Sequence, residues 1–240
     1  MGSKICPLPF LVAEPTDPGP PSAIRICWNS RVALALSLRL VGEMIPERLD
    51  LTLRDGAPVV VRPLTPADRA MVAEGYRRLS PEARYQRFWV REGKVIGDAM
   101  LDRLLTGSPP EHAVWTVFDP ARKDFPGMGA ASFWRSDSDP AEAEFSVTVL
   151  DADQGRGVAT LLLAVLWLVA YRHGIERFTG YTVPENRKAL RWMRDTGAEG
   201  EWDGYNAVFR WKLADLDALP ETPAGADLAG RLAELSAVML

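Results

Sequence analysis

Two glycines one residue apart, Gly155 and Gly157, lie in a polar segment between an apolar run typical of a strand and an apolar run typical of a helix. The first main-chain amides of a helix have no acceptor within it, and the helix dipole places partial positive charge beside them. Because glycine has no Cβ, a ligand can approach these amides closely. Residues 151–160 are therefore predicted to bind a phosphate group, although an ordinary tight turn has a similar composition.

This turn differs from two common nucleotide-binding loops. Its last glycine position is Thr160, where the dinucleotide fingerprint G-x-G-x-x-G has a third glycine. The Gly-Lys-Ser/Thr of a P-loop is also missing. The turn is therefore either a phosphate site of another kind or an ordinary tight turn.

Two carboxylates lie on the run that leads into the turn. Glu142 and Glu144 are two residues apart, so a regular strand would present both on one face. A carboxylate can act as a general base and take a proton from a nucleophile. Burial of the carboxylate would raise its pKa toward the useful range. The spacing leaves open which carboxylate would serve, or whether each is a solvated residue at a strand edge.

The composition is that of a globular protein and disfavours several function classes. Among 240 residues, 47% are hydrophobic and 25% are charged, and the net charge of -4 provides no general attraction for nucleic acid or anionic membranes. Cys6 and Cys27 are the only cysteines and lie far from either histidine, so no metal site is expected. No apolar run reaches the roughly 18 residues that a bilayer crossing needs. We expect a cytoplasmic protein without nucleic-acid or membrane partners, and the oligomeric state stays open.

The apolar periodicity predicts a mixed α/β (α+β) fold. Asp55-Gly56 is a hairpin dipeptide, with a strand after it and a second candidate strand before it. Thr65-Pro66 and Ser80-Pro81 each predict a helix start, and 98–105 is a third helical candidate. The remaining predicted elements are strands beginning near 113, 129, 143, 177 and 206, and helices over 158–173 and 184–196.

The chain is divided into three predicted segments. Residues 1–45 are rich in proline and predict a poorly ordered extension, with Met44 as an alternative start. Residues 46–215 carry the patterned elements and form the predicted domain. Residues 216–240 predict a linker and a short amphipathic helix that packs on the domain or on a partner. Its predicted apolar face is formed by Leu228, Leu232, Leu235 and Val238.

The glycine turn and a later segment resemble the GNAT superfamily of acetyl-CoA-dependent N-acyltransferases. Residues 154–159, QGRGVA, are similar to the Gln/Arg-x-x-Gly-x-Gly/Ala segment of that superfamily. Asn186, Ala189 and Gly197 are similar to its Asn-x-x-Ala segment and to the glycine that ends the following helix. The likeness spans roughly residues 50–214 and implies the GNAT fold, a mixed and mostly antiparallel central sheet flanked by helices.

A narrower resemblance involves the bacterial Pat-type protein lysine acetyltransferases. The segment LRDGAPVVVRPLTPAD and the later RLSPEARYQRFW look like the opening of Pat-type catalytic domains. Such proteins often carry a cyclic-nucleotide-binding domain or a ligase-like region, for which 240 residues leave no room. Their regulation is therefore not expected here.

The GNAT resemblance implies that acetyl-CoA is the acyl donor and assigns its contacts. The pyrophosphate would be held by amides that follow the Gln/Arg position, while Val149 and Leu150 would offer main-chain groups to the pantetheine arm. Asn186 would bond the coenzyme through its side-chain amide, or else would only cap the helix that follows it. The implied pyrophosphate segment is Gln154, Gly155, Arg156, Gly157, Val158, Ala159 and Thr160.

The resemblance also implies a chemistry of direct transfer. Glu144 matches an acidic position often used in Pat-like proteins and is the predicted general base, directly or through a water, with Glu142 as the neighbouring alternative. An amide near Val149 would stabilise the oxyanion. The position where the superfamily often has a tyrosine acid is Met193, whose thioether cannot donate a proton. Water, the hydroxyl of Tyr181 or Tyr205, or direct departure of the thiolate would then serve.

The sequence thus predicts an N-acetyltransferase that moves an acetyl group from acetyl-CoA to a primary amine, with a protein lysine as the favoured acceptor. Two alternatives keep the same fold. One is a catalytically weak acyl-CoA-binding regulator, and the other is an acetyltransferase for a small-molecule amine.

Overall fold

The computed structural model describes residues 45–88, 93 and 95–239. The N-terminal extension predicted for residues 1–45, with Cys6, Cys27 and the alternative start Met44, lies outside the described residues except for its last residue. Residues 89–92 and 94 also lie outside the described residues.

Eight strands form one sheet with the spatial order β1-β2-β3-β4-β5-β6-β8-β7. Neighbouring strands are antiparallel except for β5 and β6, which are parallel. The sheet is therefore mixed and mostly antiparallel, as predicted. The strands are β1 Leu49–Thr52, β2 Pro58–Pro63, β3 His112–Phe118, β4 Gly127–Arg135, β5 Glu142–Val149, β6 Arg177–Thr182, β7 Glu199–Trp202 and β8 Ala207–Lys212.

Six α-helices flank the sheet in the described part of the chain. Three of them come before β3, and the others follow β5, β6 and β8. A single 3₁₀ turn, Pro66–Asp68, leads into the first helix. The helices are α1 Arg69–Arg78, α2 Pro81–Phe88, α3 Asp98–Leu105, α4 Val158–Arg172, α5 Arg187–Asp195 and α6 Pro223–Met239.

Helix α4 is the centre of the main core. Every residue of it except Ala159 and Arg172 is buried, because it contacts β3, β4 and β5 on one side and α6 on the other. A helix that is apolar on all sides is stable in water only when it is covered in this way. The strand residues that face α4 alternate along the sheet; they include Ala113, Trp115, Val117, Ala131, Phe133, Ala143 and Phe145.

Helices α1, α2 and α3 cover the opposite face of the sheet. A second, smaller apolar cluster of Tyr76, Leu79, Ile96 and Leu101 lies there, with Leu150 packed against it. The intervening strand residues Val114, Thr116, Ala130, Ser132 and Thr148 point toward these helices. The sheet therefore has a thick core on the α4 side and a thinner one on the α1–α3 side.

The predicted order of elements is confirmed, including the strand before Asp55-Gly56, and one strand was missed. That strand is β7, whose four residues are all exposed and include Gly200. It lacks the alternation of apolar and polar residues on which a strand prediction depends. Its position is set by pairing with β8 and by ion pairs such as Lys212 Nζ to Glu199 Oε1 at 2.6 Å.

The C-terminal helix packs back on the domain, and it is longer than the predicted short segment. Leu228, Leu232 and Leu235 are buried in the main core as expected. The inclusion of Val238 in that face is wrong, since its side chain is 57% exposed and Met239 is buried instead. The predicted start of α5 at 184 is also too early, because the helix begins at Arg187. No helix in the described ranges has both the length and the apolar character needed to span a bilayer.

Candidate functional site

A cleft opens between β5 and β6, where the sheet changes from antiparallel to parallel pairing. The two strands pair at only three positions, from Glu142 opposite Arg177 to Glu144 opposite Thr179. Beyond this point β5 continues to Val149 and β6 to Thr182 without further pairing between them. The strands therefore splay apart, and Glu144 lies at the vertex.

One edge of the open part of β5 faces this cleft. Leu150 donates its N–H to the Met128 carbonyl oxygen of β4 at 2.9 Å, so the alternation of an antiparallel ladder turns the N–H and C=O of Val149 away from β4. The Leu150 carbonyl oxygen accepts from Asp153 N–H at 2.8 Å. Of the two residues predicted for the pantetheine arm, Val149 presents main-chain groups to the cleft, whereas those of Leu150 are engaged within the protein.

The glycine turn lies where β5 leads into α4. Gly155 and Gly157 have φ of 79° and 93°, a left-handed conformation that residues with a Cβ rarely adopt. The first bond of the helix is donated by Leu161 N–H to the Gly157 carbonyl oxygen at 2.9 Å. The amides of residues 157–160 precede that bond and converge at the start of a buried helix, which is the geometry of an anion site.

A buried carboxylate holds this turn in shape. The Asp153 side chain is fully buried and accepts two hydrogen bonds from Arg122, at 2.8 and 2.5 Å, and one from Arg156 at 2.9 Å. Arg156 also donates to Asp55 at 2.7 Å. The Arg156 guanidinium is thus paired with Asp153 and Asp55. The group of Arg156 that remains for a ligand is its main-chain amide.

Arg54 is a candidate that sequence reasoning missed. Its guanidinium donates to the Gly155 carbonyl oxygen, and its stem lies beside Gly157, where an added Cβ would be 3.6 Å from Arg54 Cγ. The side chain is exposed and adds positive charge to the turn. The LRDG segment was the only sequence signal for Arg54. Its contact with Gly155 could not be predicted, because 101 residues separate the two bonded groups.

The two motif segments come together at the starts of α4 and α5. Lys188 Nζ donates to Gln154 Oε1 at 3.1 Å, and Trp192 Nε1 donates to Thr160 Oγ1 at 3.1 Å. Asn186 caps α5, since its side-chain oxygen accepts from Ala189 N–H at 3.1 Å. The amide nitrogen of the Asn186 side chain is the group that could reach a ligand.

The structure separates the two carboxylates, although both lie on the same strand face. Glu142 Oε1 accepts from Thr179 Oγ1 at 2.5 Å, and its other oxygen lies 4.0 Å from Arg177 Nε. Glu144 is exposed, which is the environment of the alternative in which the carboxylate is a solvated residue at a strand edge.

Two further polar side chains share the region of Glu144. Arg87 is half-buried; burial lowers the pKa of its guanidinium, and the charge of Glu144 opposes that shift. Tyr181 lies two residues beyond Thr179 and shares its strand face. Burial raises the pKa of the Tyr181 hydroxyl, and the charges of Glu144 and Glu142 add to the effect. The hydroxyl is therefore protonated at neutral pH.

Met193 lies elsewhere, in the main core. Its side chain is buried, and its Cε is 3.4 Å from the position of a Cβ added to Gly180. Gly180 alternates with Thr179 and Tyr181 along β6, so Met193 is on the opposite sheet face from Glu144. The residue at the expected tyrosine position thus contributes to packing.

A family model described as an acetyltransferase (GNAT) domain matches residues 59–199, which is more than half of the sequence. The chain belongs to the GNAT acetyltransferase family. It is 28% identical over 150 residues to acetyltransferase Pat of Mycolicibacterium smegmatis, covering 62% of this chain and 44% of that protein. It is 30% identical over 144 residues to acetyltransferase PA5475 of Pseudomonas aeruginosa, covering 60% of this chain and 74% of that one. The chain therefore matches less than half the length of the M. smegmatis relative.

The fold comparison agrees with this assignment. The solved structure of the GNAT domain of S. lividans PAT superposes with a TM-score of 0.63 at 25% identity, covering 69% of this chain and 96% of that one. The predicted GNAT fold and the resemblance to Pat-type proteins are thus confirmed.

Proposed function

We propose that this protein is an acetyl-CoA-dependent N-acetyltransferase that transfers an acetyl group to a primary amine, with a protein lysine as acceptor. The observation that carries this proposal is the cleft between β5 and β6. It joins an anion-binding helix start at one end to a carboxylate at its vertex.

The coenzyme would lie along the open edge of β5. Its pyrophosphate would accept hydrogen bonds from the amides of Arg156, Gly157, Val158, Ala159 and Thr160, with Arg54 neutralising part of its charge. Gln154 would keep the turn next to α5 through Lys188, and Gly155 would allow the close approach. Val149 would bond the pantetheine amides, and the nitrogen of the Asn186 side chain would donate to the coenzyme from the other side of the cleft.

The reaction would proceed by direct attack of the amine on the thioester. Glu144 removes a proton from the ammonium group, directly or through a water, and the neutral nitrogen forms a bond to the thioester carbon. The carbonyl oxygen becomes an oxyanion that a cleft-facing main-chain amide of β5 near Val149 stabilises. The bond from carbon to sulfur then breaks, and the departing thiolate takes a proton from the Tyr181 hydroxyl. The attacking nitrogen gives its second proton to the Tyr181 phenolate, which leaves a neutral amide and regenerates the tyrosine.

The surroundings of Glu144 favour an acceptor on another macromolecule. Its side chain is exposed at the vertex, so a lysine projecting from a protein surface can reach it. A lysine side chain has a long flexible stem that places the amine beyond its own backbone. A small amine would gain more from an enclosed site.

The proposal is tested by comparing Glu144→Gln with Glu142→Gln, its matched control two residues away. Amine-dependent release of free thiol is measured with acetyl-CoA, and acetylated lysines on candidate proteins are identified by mass spectrometry. We expect Glu144→Gln to lower kcat about 100-fold or more, because the base is removed while the fold is kept. Glu142→Gln should change kcat by only a few-fold.

Other outcomes assign other functions. Tight acetyl-CoA binding without amine-dependent thiol release would indicate an acyl-CoA-binding regulator. Turnover with polyamines or aminoglycosides but with no protein would indicate a small-molecule acetyltransferase. Unchanged turnover in Glu144→Gln would overturn the assignment of the base.

A further inference from the structure

A cavity of about 120 Å³ lies between the sheet and the helices α1 and α2, on the sheet face that carries Glu144. Its floor is formed by Ala130 and Ser132 of β4 and by Thr148 of β5. Its roof is formed mainly by apolar side chains that include Val72 and Leu79. The cavity is separate from the cleft edge, which is lined by main-chain groups of β5.

The floor of the cavity is built from small side chains. Ala130, Ser132 and Thr148 have short side chains, so space is left between this part of the sheet and the helices. The Ser132 hydroxyl is paired with that of Ser146 at 3.1 Å. The Thr148 hydroxyl is buried without a partner in the described structure. The space is therefore mostly apolar, with one unsatisfied hydroxyl at its floor.

The cavity floor lies along the same face of β5 as Glu144. Glu144, Ser146 and Thr148 alternate along one face of β5, so the line of side chains from the carboxylate leads onto the cavity floor. Arg87 provides a second link, because it lines the cavity and interacts electrostatically with Glu144. The acyl group of a thioester held at the open edge of β5 near Val149 would thus lie beside Thr148, which forms part of the cavity floor.

We propose that this cavity binds the hydrocarbon chain of an acyl-CoA donor longer than acetyl, with about four to six carbons in the acyl group. The proposal rests on the proposed function, since it concerns the donor of the same transfer reaction. The same bonds form and break as for acetyl, and only the substituent on the thioester carbon differs.

The size of the cavity supports this chain length. An engineered apolar cavity of about 150 Å³ holds benzene, which has six carbons. The cavity described above is slightly smaller, whereas the methyl group of an acetyl donor would leave most of it unfilled. Each methylene that is buried favours binding by about fourfold, so a chain that fills the space should be preferred strongly.

The test measures both binding and transfer for a series of straight-chain donors. Dissociation constants of acetyl-, butyryl-, hexanoyl- and decanoyl-CoA are obtained by calorimetry, and kcat/KM is obtained with one lysine-containing acceptor. We expect binding and kcat/KM to rise by about fourfold per added methylene up to butyryl or hexanoyl, and to fall again for decanoyl. A steady fall from acetyl onward in both measurements would overturn the proposal.

Gly75 allows the cavity to be filled without disturbing the catalytic face. It lies in α1 and lines the cavity, and a Cβ added there meets only Phe125 Cζ at 3.4 Å. Gly75→Leu should lower kcat/KM for hexanoyl-CoA more than tenfold while leaving acetyl-CoA nearly unchanged. Gly75→Ala is the matched control and should keep the preference of the unmodified protein. Equal losses for both donors in Gly75→Leu would contradict the proposal.

A second substitution acts on the floor. Thr148→Val replaces the unpartnered hydroxyl with a methyl group and should increase the preference for hexanoyl over acetyl about threefold or more. The binding measurements separate the two hypotheses, because they do not depend on transfer. A chain-length preference in binding without any transfer would support the cavity assignment and reject the proposed function. Transfer of acetyl without a chain-length preference in binding would support the proposed function and reject the cavity assignment.

Discussion

At the scale of single residues, side chains of the same type have different surroundings in and around the cleft. Glu142 and Glu144 have the same chemistry and the same strand face, but Thr179 and Arg177 engage only the first. The tyrosines differ in the same way. Tyr181 lies on the strand that borders the cleft and interacts with both carboxylates, whereas Tyr205 is 85% exposed in a turn. Two residues of the same type therefore differ in their contacts because they lie at different positions relative to the vertex.

We predict that Tyr181→Phe lowers kcat for acetyl transfer about 100-fold, because the coenzyme thiolate then lacks its proton donor. The KM for acetyl-CoA should change little, since the aromatic ring is retained. Tyr205→Phe is the matched control and should behave like the unmodified protein. Steady-state kinetics with a lysine acceptor gives the result, and a loss in Tyr205→Phe alone would exchange the roles of the two residues.

At the scale of elements, the start of the first helix illustrates how local sequence is reinforced by a neighbouring strand. Asp68 accepts hydrogen bonds from Thr65 N–H at 2.8 Å and from the Arg62 guanidinium at 2.8 and 2.6 Å. The Arg62 hydrogen bond is the main reason that the pKa of Asp68 falls to about 2 from its ordinary value of 3.8. The capping box thus ties α1 to β2.

We predict a pH-dependent loss of stability in Asp68→Asn. Because the folded-state pKa is depressed, the ionised carboxylate stabilises the fold above its unfolded pKa of 3.8. This contribution is lost as the pH falls from about 4 toward 2. Asp68→Asn should therefore lower the free energy of unfolding by about 2 kcal/mol at pH 7, and the difference should shrink at pH 3.

Urea unfolding at the two pH values measures this effect. Asp50→Asn is a suitable control, because Asp50 is paired with Arg48 at an exposed site and surface pairs contribute little. The contradicting outcome is a free energy of unfolding of Asp68→Asn that differs from that of the unmodified protein by the same amount at pH 7 and at pH 3. Such a result would show that ionisation of Asp68 does not stabilise the fold.

At the scale of the whole molecule, the C-terminal helix completes the burial of α4. It covers the side of α4 that the sheet leaves open, and it reaches the glycine turn, where Asp227 Oδ2 would lie 3.3 Å from a Cβ on Gly157. Its first turn is anchored by Thr222, which donates to the Asp195 carbonyl oxygen and accepts from Gly225 N–H at 3.0 Å. The helix is therefore expected to fold together with residues 46–215.

We predict that Gly225→Ala destabilises the whole protein by about 1–3 kcal/mol, because its Cβ would lie 2.2 Å from the Pro220 carbonyl oxygen. Gly230 lies in the same helix with no atom within 4 Å of an added Cβ. Gly230→Ala should therefore raise stability by about 0.5–1 kcal/mol through its higher helix propensity. Thermal or urea unfolding compares the two, and equal effects would mean that the start of α6 does not dock as described.

Much of the fold was predictable because its signals are local. Apolar periodicity marked α4 and most strands, proline and polar caps marked the starts of α1 and α2, and glycine marked the turn before α4. The strand β7 was not predictable, since it is polar and exposed and depends on its pairing with β8. Val238 was misassigned because apolar spacing alone does not show which side of α6 meets the core.

The sequence by itself determined the family and, through that resemblance, the mixed and mostly antiparallel sheet, because the family motifs are short stretches of adjacent residues. The phosphate-binding role of the glycine turn stays a prediction from the same local pattern. Only the tertiary structure decided that Glu144, and not Glu142, lies at the vertex of the cleft, since strand alternation places both on one face. The register of β5 with β6 ends at Glu144, and this pairing joins segments that are far apart in sequence. Contacts of this kind, like that of Arg54 with Gly155, depend on the assembled sheet and leave no pattern in a single stretch of residues.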